Sequence, residues 1–215
     1  MATKTLYLMR HCETLFNVQH KSQGWCDSPV TPRGRQQCRL AGEELVRRGV
    51  SFDHFYSSTS ERCCDTLEMV CEAAFGEVKP YVRCKDLREC GFGIFEAKDD
   101  FLEPDFGPMR SRFMAAVGGE TDAQVNERMD RCLSDIMARD DHQNVLAVSS
   151  GGSSMHFYMV HEATARAQFR RTEFSNCMTY VYSWEDGVFS CQEIYVPDFS
   201  SLTESGLPGR WSIEA

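Results

Sequence analysis

Residues 6–17 read Leu6-Tyr7-Leu8-Met9-Arg10-His11-Cys12-Glu13-Thr14-Leu15-Phe16-Asn17, an apolar run that stops abruptly at Arg-His. The run predicts a buried strand over about Thr5 to Met9, opening into a polar loop at its carboxyl end. Open α/β sheets bind ligands at such strand exits. Arg10 offers a planar fork of donors suited to a phosphoryl group. His11 offers a ring nitrogen that can serve as base, nucleophile or metal ligand.

The rest of the chain repeats this strand–loop–helix pattern. Thr31-Pro32 predicts a helix start, with Thr as cap and Pro in the first turn. That helix runs to about Arg48, turns Leu40, Ala41, Leu45 and Val46 to one face, and stops at Gly49. Phe52 to Tyr56 predicts a second strand. Ser57 to Ser60 then supplies hydroxyls and a cap for a helix carrying Arg62, Thr66, Leu67, Val70, Cys71 and Ala74. Arg62 lies in that helix's first turn, where a cation opposes the helix dipole unless an anion sits there too. Pro80 to Cys84 predicts a third strand, followed by Glu89. Residues 90–119 are rich in Gly and Pro and are read as an irregular insertion covering the site.

Thr121 to Arg139 predicts a helix with Val125, Met129, Cys132, Leu133 and Ile136 as its core stripe. Asn144 to Ser149 is almost wholly apolar and predicts a central parallel strand. Ser150-Gly151-Gly152-Ser153 follows as a loop, then a helix over about Ser154 to His161. Met178 to Trp184 and Val188 to Val196 flank Glu185-Asp186-Gly187, a hairpin signal. The expected fold is α/β: a three-layer, mostly parallel sheet flanked by helices, with a C-terminal hairpin, in one domain over 1–215. Arg10-His11, the stretch around Arg62, Glu89, and Ser149 to Gly152 all follow strand ends. In a parallel sheet those ends share one rim.

Composition sets bounds. The formal net charge of -9 argues against a general nucleic-acid binder, though not against a local cationic pocket. The 11 cysteines form no Cys-x-x-Cys pair, which weakens disulfide and zinc-ribbon readings. No leader is read before the first strand, and no apolar run is long enough to span a bilayer. A cytoplasmic protein with reduced thiols is expected, with no membrane or nucleic-acid partner. The six histidines include no close i, i+4 ligand pair, so no metal set is expected.

Arg10-His11-Cys12-Glu13-Thr14-Leu15-Phe16-Asn17 resembles the Arg-His-Gly-Glu-Thr-x-x-Asn signature of the histidine phosphatase superfamily, in its phosphoglycerate mutase-like branch. Cys12 stands where glycine is usual. Gln23-Gly24-Trp25-Cys26-Asp27-Ser28-Pro29-Val30-Thr31 is similar to the family's substrate-facing loop. Ser58 to Thr66 matches its Ser-x-x-x-Arg-x-x-x-Thr element, and Leu87-Arg88-Glu89 with Gly91 to Glu96 matches its acidic segment. Several motifs in order, over about residues 4 to 155, make the resemblance specific.

The resemblance implies that His11 is the nucleophile that takes a phosphoryl group. Arg10 and Arg62 would bind its oxygens with Asn17, and Glu89 would protonate the leaving oxygen and then activate water. Gln23, Gly24 and Gly151 would contact substrate. No cofactor is implied. The partner would be a small phosphorylated metabolite, and the chain a monomer or homodimer.

One position departs from the pattern. Where the family has Ser-His-Gly-Gly, this chain has Ser149-Ser150-Gly151-Gly152. Ser150 replaces the second active-site histidine, and losing one preorganised donor typically costs about a hundred- to a thousandfold in turnover. The leading expectation is a phosphomonoester hydrolase working through a phosphohistidine and weakened by Ser150. A phosphoglycerate mutase is the alternative, disfavoured by the short 90–119 segment. A non-catalytic phosphate-ligand binding protein is the alternative from another class. Cys12, beside His11, is expected to feel the cationic pocket and ionise more easily. His156 and His161 are read as packing residues.

Overall fold

The computed structural model describes residues 3–103, 107–162 and 174–203. One six-stranded sheet has the order β3-β2-β4-β1-β5-β6. Its strands are β1 (Lys4–Arg10), β2 (His54–Ser58), β3 (Val82–Cys84), β4 (Asn144–Ser149), β5 (Thr179–Glu185) and β6 (Val188–Tyr195). β4 pairs in parallel with β1 and β2, and β2 in parallel with β3. β5 runs antiparallel to β1, and β6 to β5. The central parallel strand is therefore β4, as its apolar composition predicts.

Alternation along the strands builds two cores. Leu6 and Leu8 of β1, with Val145 and Ala147 of β4, face one cluster; Met9, Leu146 and Val148 face the other. This is the period-2 pattern of a sheet covered on both faces. The first cluster is closed by α5 (Asp122–Met137) through Val125, Met129, Leu133 and Ile136, and by α6 (Gly151–His161) through Phe157. The second is closed by α2 (Pro32–Arg47) through Cys38, Ala41 and Leu45, and by α3 (Glu61–Phe75) through Cys63, Leu67, Val70 and Cys71. α1 (Leu15–Val18) is a single turn, capped by Thr14.

Several boundaries differ from expectation. β2 extends through Ser57 and Ser58, which are fully buried strand residues and not loop hydroxyls. Ser60 is the N-cap of α3, but its side chain makes no cap bond; Asp27 Oδ2 accepts from the Glu61 N–H instead. Val46 is exposed, and α2 buries Gln37, Cys38 and Gly42 beside Ala41 and Leu45. α6 begins at Gly151, three residues early. Residues 90–119 are not wholly irregular: α4 (Arg110–Ala116) lies within them. The hairpin turn places Asp186 at φ 49° and Gly187 at φ 83°, the two positive φ values of a type I′ turn. No helix among the described residues is long and apolar enough to cross a membrane.

Candidate active site at the strand exits

His11 is the first residue beyond β1. Its N–H donates to the Ser149 carbonyl at 2.9 Å, and its own carbonyl accepts from Asn176 Nδ2 at 3.1 Å. These bonds tie it to the end of β4 and to the segment before β5. The imidazole is 3 % exposed, with Nδ1 2.7 Å from the Cys12 carbonyl. A carbonyl only accepts, so Nδ1 carries the hydrogen and Nε2 keeps its lone pair. Burial, then the Arg62 and Arg10 charges, push its pKa well below the usual imidazole range. His11 is therefore a neutral imidazole whose Nε2 lone pair has no partner among the described residues.

Two arginines flank it. Arg10, at the end of β1, donates through Nη1 to the Phe174 carbonyl at 2.7 Å. Arg62, from the first turn of α3, is 1 % exposed. Its Nη1 donates to the Cys26 carbonyl at 2.9 Å and to Asp27 Oδ1 at 3.1 Å. Its Nη2 donates to the Gly24 carbonyl at 2.9 Å and to Ser150 Oγ at 3.2 Å. Arg62 thus ties the Gln23 loop to the start of α6. Arg10 Nε and Arg62 Nε are both buried and have no hydrogen-bond partner among the described residues. Buried donors in native proteins are nearly always satisfied. Two such guanidinium N–H groups beside a neutral histidine concentrate positive charge locally in a chain of net charge -9.

Glu89 meets the N-terminus of α6. The Gly152 N–H donates to its Oε2 at 2.8 Å, and the Ser153 and Cys90 N–H groups donate to Oε1 at 2.7 and 2.8 Å. The side chain thus supplies acceptors to N–H groups that a helix end leaves open. It takes the capping role that Ser150 leaves unfilled, since Ser150 is the N-cap but makes no side-chain cap bond. Ser150 is fully buried and turns its hydroxyl to Arg62.

The paired glycines follow from this crowding. A Cβ on Gly151 would stand 3.0 Å from Arg10 Nε; one on Gly152 would stand 2.6 Å from Glu89 Oε1. The first neighbour is the end of a flexible side chain. The second is pinned by three backbone N–H groups. Gly152→Ala is expected to displace Glu89 and cost about 1–3 kcal/mol of stability, the usual range for overpacking. Gly151→Ala is expected to be near neutral, helped by alanine's helix propensity of up to about 1 kcal/mol over glycine. Urea unfolding of the two variants checks the contrast; equal losses would refute it.

The remaining site residues fall as follows. Asn17 Oδ1 accepts from the Thr14 N–H and from Asn176 Nδ2, both at 3.2 Å. Gln23 is buried, and its amide is engaged inside its own loop: Thr14 donates to Oε1 at 2.7 Å, and Nε2 donates to Ser28 Oγ at 3.0 Å. The Gly24 N–H donates to Glu96 Oε2 at 3.1 Å.

Three residues outside the expected set organise the site. Glu96 accepts from the N–H groups of Gly24, Trp25, Cys26 and Phe92, joining the Gln23 loop to residues 90–119. Burial alone would raise its pKa, but the Cys26 thiol and these N–H donors hold it below the ordinary carboxylate range. Arg128 of α5 donates to the Asp86, Arg88 and Glu89 carbonyls and pairs with Glu120, so it fixes the segment carrying Glu89. Asp27 pairs with Arg62 and caps α3. Their signal in the sequence is slight, because each makes its joining contacts across 34 residues or more.

Cys12 departs from expectation. Its thiol turns away from the arginines into the second core, where Thr66 donates to it at 3.2 Å. The hydrogen bond to Cys38 and burial raise its pKa well above the ordinary thiol range, so the thiol is not activated. His156 and His161 contact Asn126 and Asp130 on the neighbouring helix, at 3.0 and 2.8 Å. Local spacing predicts no metal-ligand set, yet the fold gathers His54, Asp141 and His142 at the opposite rim.

The geometry defines a class: an α/β protein with a neutral histidine flanked by two arginines at the strand exits. Comparison with known proteins gives the family. The profile of the histidine phosphatase superfamily (branch 1) matches residues 6–197, and the chain belongs to that superfamily. It is 30 % identical over 153 residues to a probable phosphoglycerate mutase, GpmB, of Proteus mirabilis (strain HI4320), covering 68 % of this chain and 69 % of that one. Among solved structures, a phosphoglycerate mutase of Bacillus anthracis superposes with a TM-score of 0.77 at 23 % identity, covering 89 % of this chain and 92 % of the other. A mycobacterial glucosyl-3-phosphoglycerate phosphatase superposes with a TM-score of 0.68 at 20 % identity, covering 91 % and 100 %. Both structural likenesses are to the fold.

Proposed function

We propose that this chain is a phosphomonoester hydrolase acting through a phosphohistidine at His11. The carrying observation is the neutral His11 imidazole beside two buried guanidinium N–H groups, Nε2 and both of these lacking partners among the described residues. Nε2 attacks phosphorus and the ester P–O bond breaks. Arg10 and Arg62 match the charge on the equatorial oxygens. Glu89, whose charge acts on Arg10, gives a proton to the leaving oxygen. It then takes one from the water that cleaves the N–P bond. Ser150 contributes a hydroxyl where an imidazole would add a second donor, so turnover is slow. The substrate is a small phosphorylated metabolite, walled by the Gln23 loop and residues 90–119 of a single domain. Free thiols at all eleven cysteines agree with a cytoplasmic setting.

Acid-quench trapping with a labelled phosphomonoester tests the proposal. An acid-labile, base-stable phosphoenzyme mapping to His11 is expected. Label at another residue, or none even after histidine is restored at position 150, would sink it. The pH profile gives a second check. The His11 pKa lies below its ordinary value, so the nucleophilic form persists as pH falls through 6.5. The acid limb of kcat/KM is expected well below pH 6.5; a limb at 6.5 would contradict the assignment.

A second reading, phosphoglycerate mutase, is favoured by the name of the Proteus mirabilis relative. Interconversion of 3- and 2-phosphoglycerate faster than phosphate release, in a coupled assay, would select it.

A further inference from the structure

We propose that His54, Asp141 and His142 form a binding site for a divalent transition-metal ion, at the rim of the sheet opposite His11. His54 opens β2, and Asp141-His142 lie in the turn just before β4. β2 and β4 pair in parallel, with His54 in register with Val145. Their starting ends therefore converge, as their exits do on the other rim. The ligand atoms of the three side chains lie within 4.8 Å of one another.

The separations suit an ion. Asp141 Oδ2 stands 3.3 Å from His54 Nε2, and Asp141 Oδ1 stands 2.8 Å from His142 Nδ1. Two ligand atoms about 2.0–2.1 Å from a tetrahedral zinc are about 3.3 Å apart. Two imidazoles and one carboxylate select zinc, cobalt, nickel or copper over magnesium or calcium, which prefer all-oxygen shells. Three protein ligands leave at least one position open.

An outer partner is also present. His142 is 1 % exposed, and its Nε2 lies 2.6 Å from the Tyr56 hydroxyl. Such a contact fixes the ring and tunes the ligating nitrogen. Without metal, Nδ1–H donates to Asp141 and Nε2 accepts from Tyr56. With metal, the hydrogen sits on Nε2, Tyr56 accepts it, and Nδ1 faces the ion. The His54 and His142 rings are stacked, with centroids 3.6 Å apart and planes 12° apart. Closing on an ion requires the His54 ring to tilt out of that stack. It is free to do so, since its side chain is 33 % exposed and that of Asp141 is 72 % exposed. Asp53 stands beside the site but is taken by the Gln143 and Asn144 N–H groups. Arg139 is the opposing charge there. The site lies at the strand starts, whereas His11 lies at the strand exits.

The test is cobalt titration of the full chain under reducing conditions, read by visible absorption and equilibrium dialysis. One ion per chain is expected, with a spectrum free of thiolate charge-transfer bands. His54→Ala and Asp141→Ala are each expected to weaken binding about tenfold or more, and Tyr56→Phe about tenfold through the outer contact. All three leave the buried His142 in place. Circular dichroism of the metal-free variants separates a lost ligand from a lost fold. Equal binding by the parent and correctly folded His54→Ala and Asp141→Ala would overturn the site. So would no binding by the parent, or binding abolished by thiol alkylation alone.

Discussion

His11→Ala is expected to remove the phosphoenzyme entirely and to lower phosphomonoester turnover by about 10⁴-fold or more, as losing a nucleophile does in enzymes whose catalytic groups act as a unit. The reason lies in what the imidazole does and what its neighbours cannot do. Nδ1–H is held by the Cys12 carbonyl, so Nε2 is the nitrogen left to react in the proposed step. The adjoining thiol, Cys12, faces the core with its pKa raised, and cannot stand in. Binding, in contrast, should survive. Arg10 and Arg62 remain, and their orphaned Nε groups still seek an anion. His11→Asn is the cleaner probe, because its amide N–H can keep a bond toward the Cys12 carbonyl. Both variants should bind vanadate within a few-fold of the parent while trapping no phosphoryl group. Turnover within tenfold of the parent in either would show that His11 is not the nucleophile.

The parts of this molecule that read directly from sequence are those decided by neighbours along the chain. β1 and β4 announce themselves through apolar runs ending in polar residues, and α5 through its 3.6-residue stripe. The Asp186-Gly187 turn is likewise local. The parts that misread are those decided across the fold. Ser57 and Ser58 look like loop, but strand pairing to β3 and β4 makes them part of a buried strand. Gly151-Gly152 looks like a loop because glycine is a poor helix former. The helix starts there because Glu89, 63 residues earlier, supplies the cap. Ser60 looks like the cap of α3, and Asp27 does the work from 34 residues away. His54 and His142 share no local spacing, and only the parallel register of β2 and β4 brings them together.

The same distinction makes position 150 informative, because there the sequence alone names the change and the geometry states its consequence. Ser150→His is expected to raise turnover by about 10²–10³, the usual worth of one preorganised donor to a developing oxyanion. The serine hydroxyl is committed to Arg62 Nη2 at 3.2 Å and adds no charge. Nor does it cap α6, whose leading N–H groups are held by Glu89. Replacing it therefore removes little: Ser150→Ala should leave Arg62 with the Gly24 and Gln23 carbonyls and cost no more than about 1 kcal/mol. An imidazole at the same N-cap would turn a ring N–H toward the phosphoryl oxygens, alongside the two arginine Nε groups. If that donor strengthens chiefly in the transition state, kcat should rise while KM moves little. Trapped phosphoenzyme should also form faster in a single turnover. A variant that folds, binds vanadate and gains nothing in either measurement would mean that the pocket binds phosphate without turning it over. A gain in kcat of the stated size, with Ser150→Ala unchanged, would place the deficit of this chain at one side chain, with the rest of the attack machinery intact.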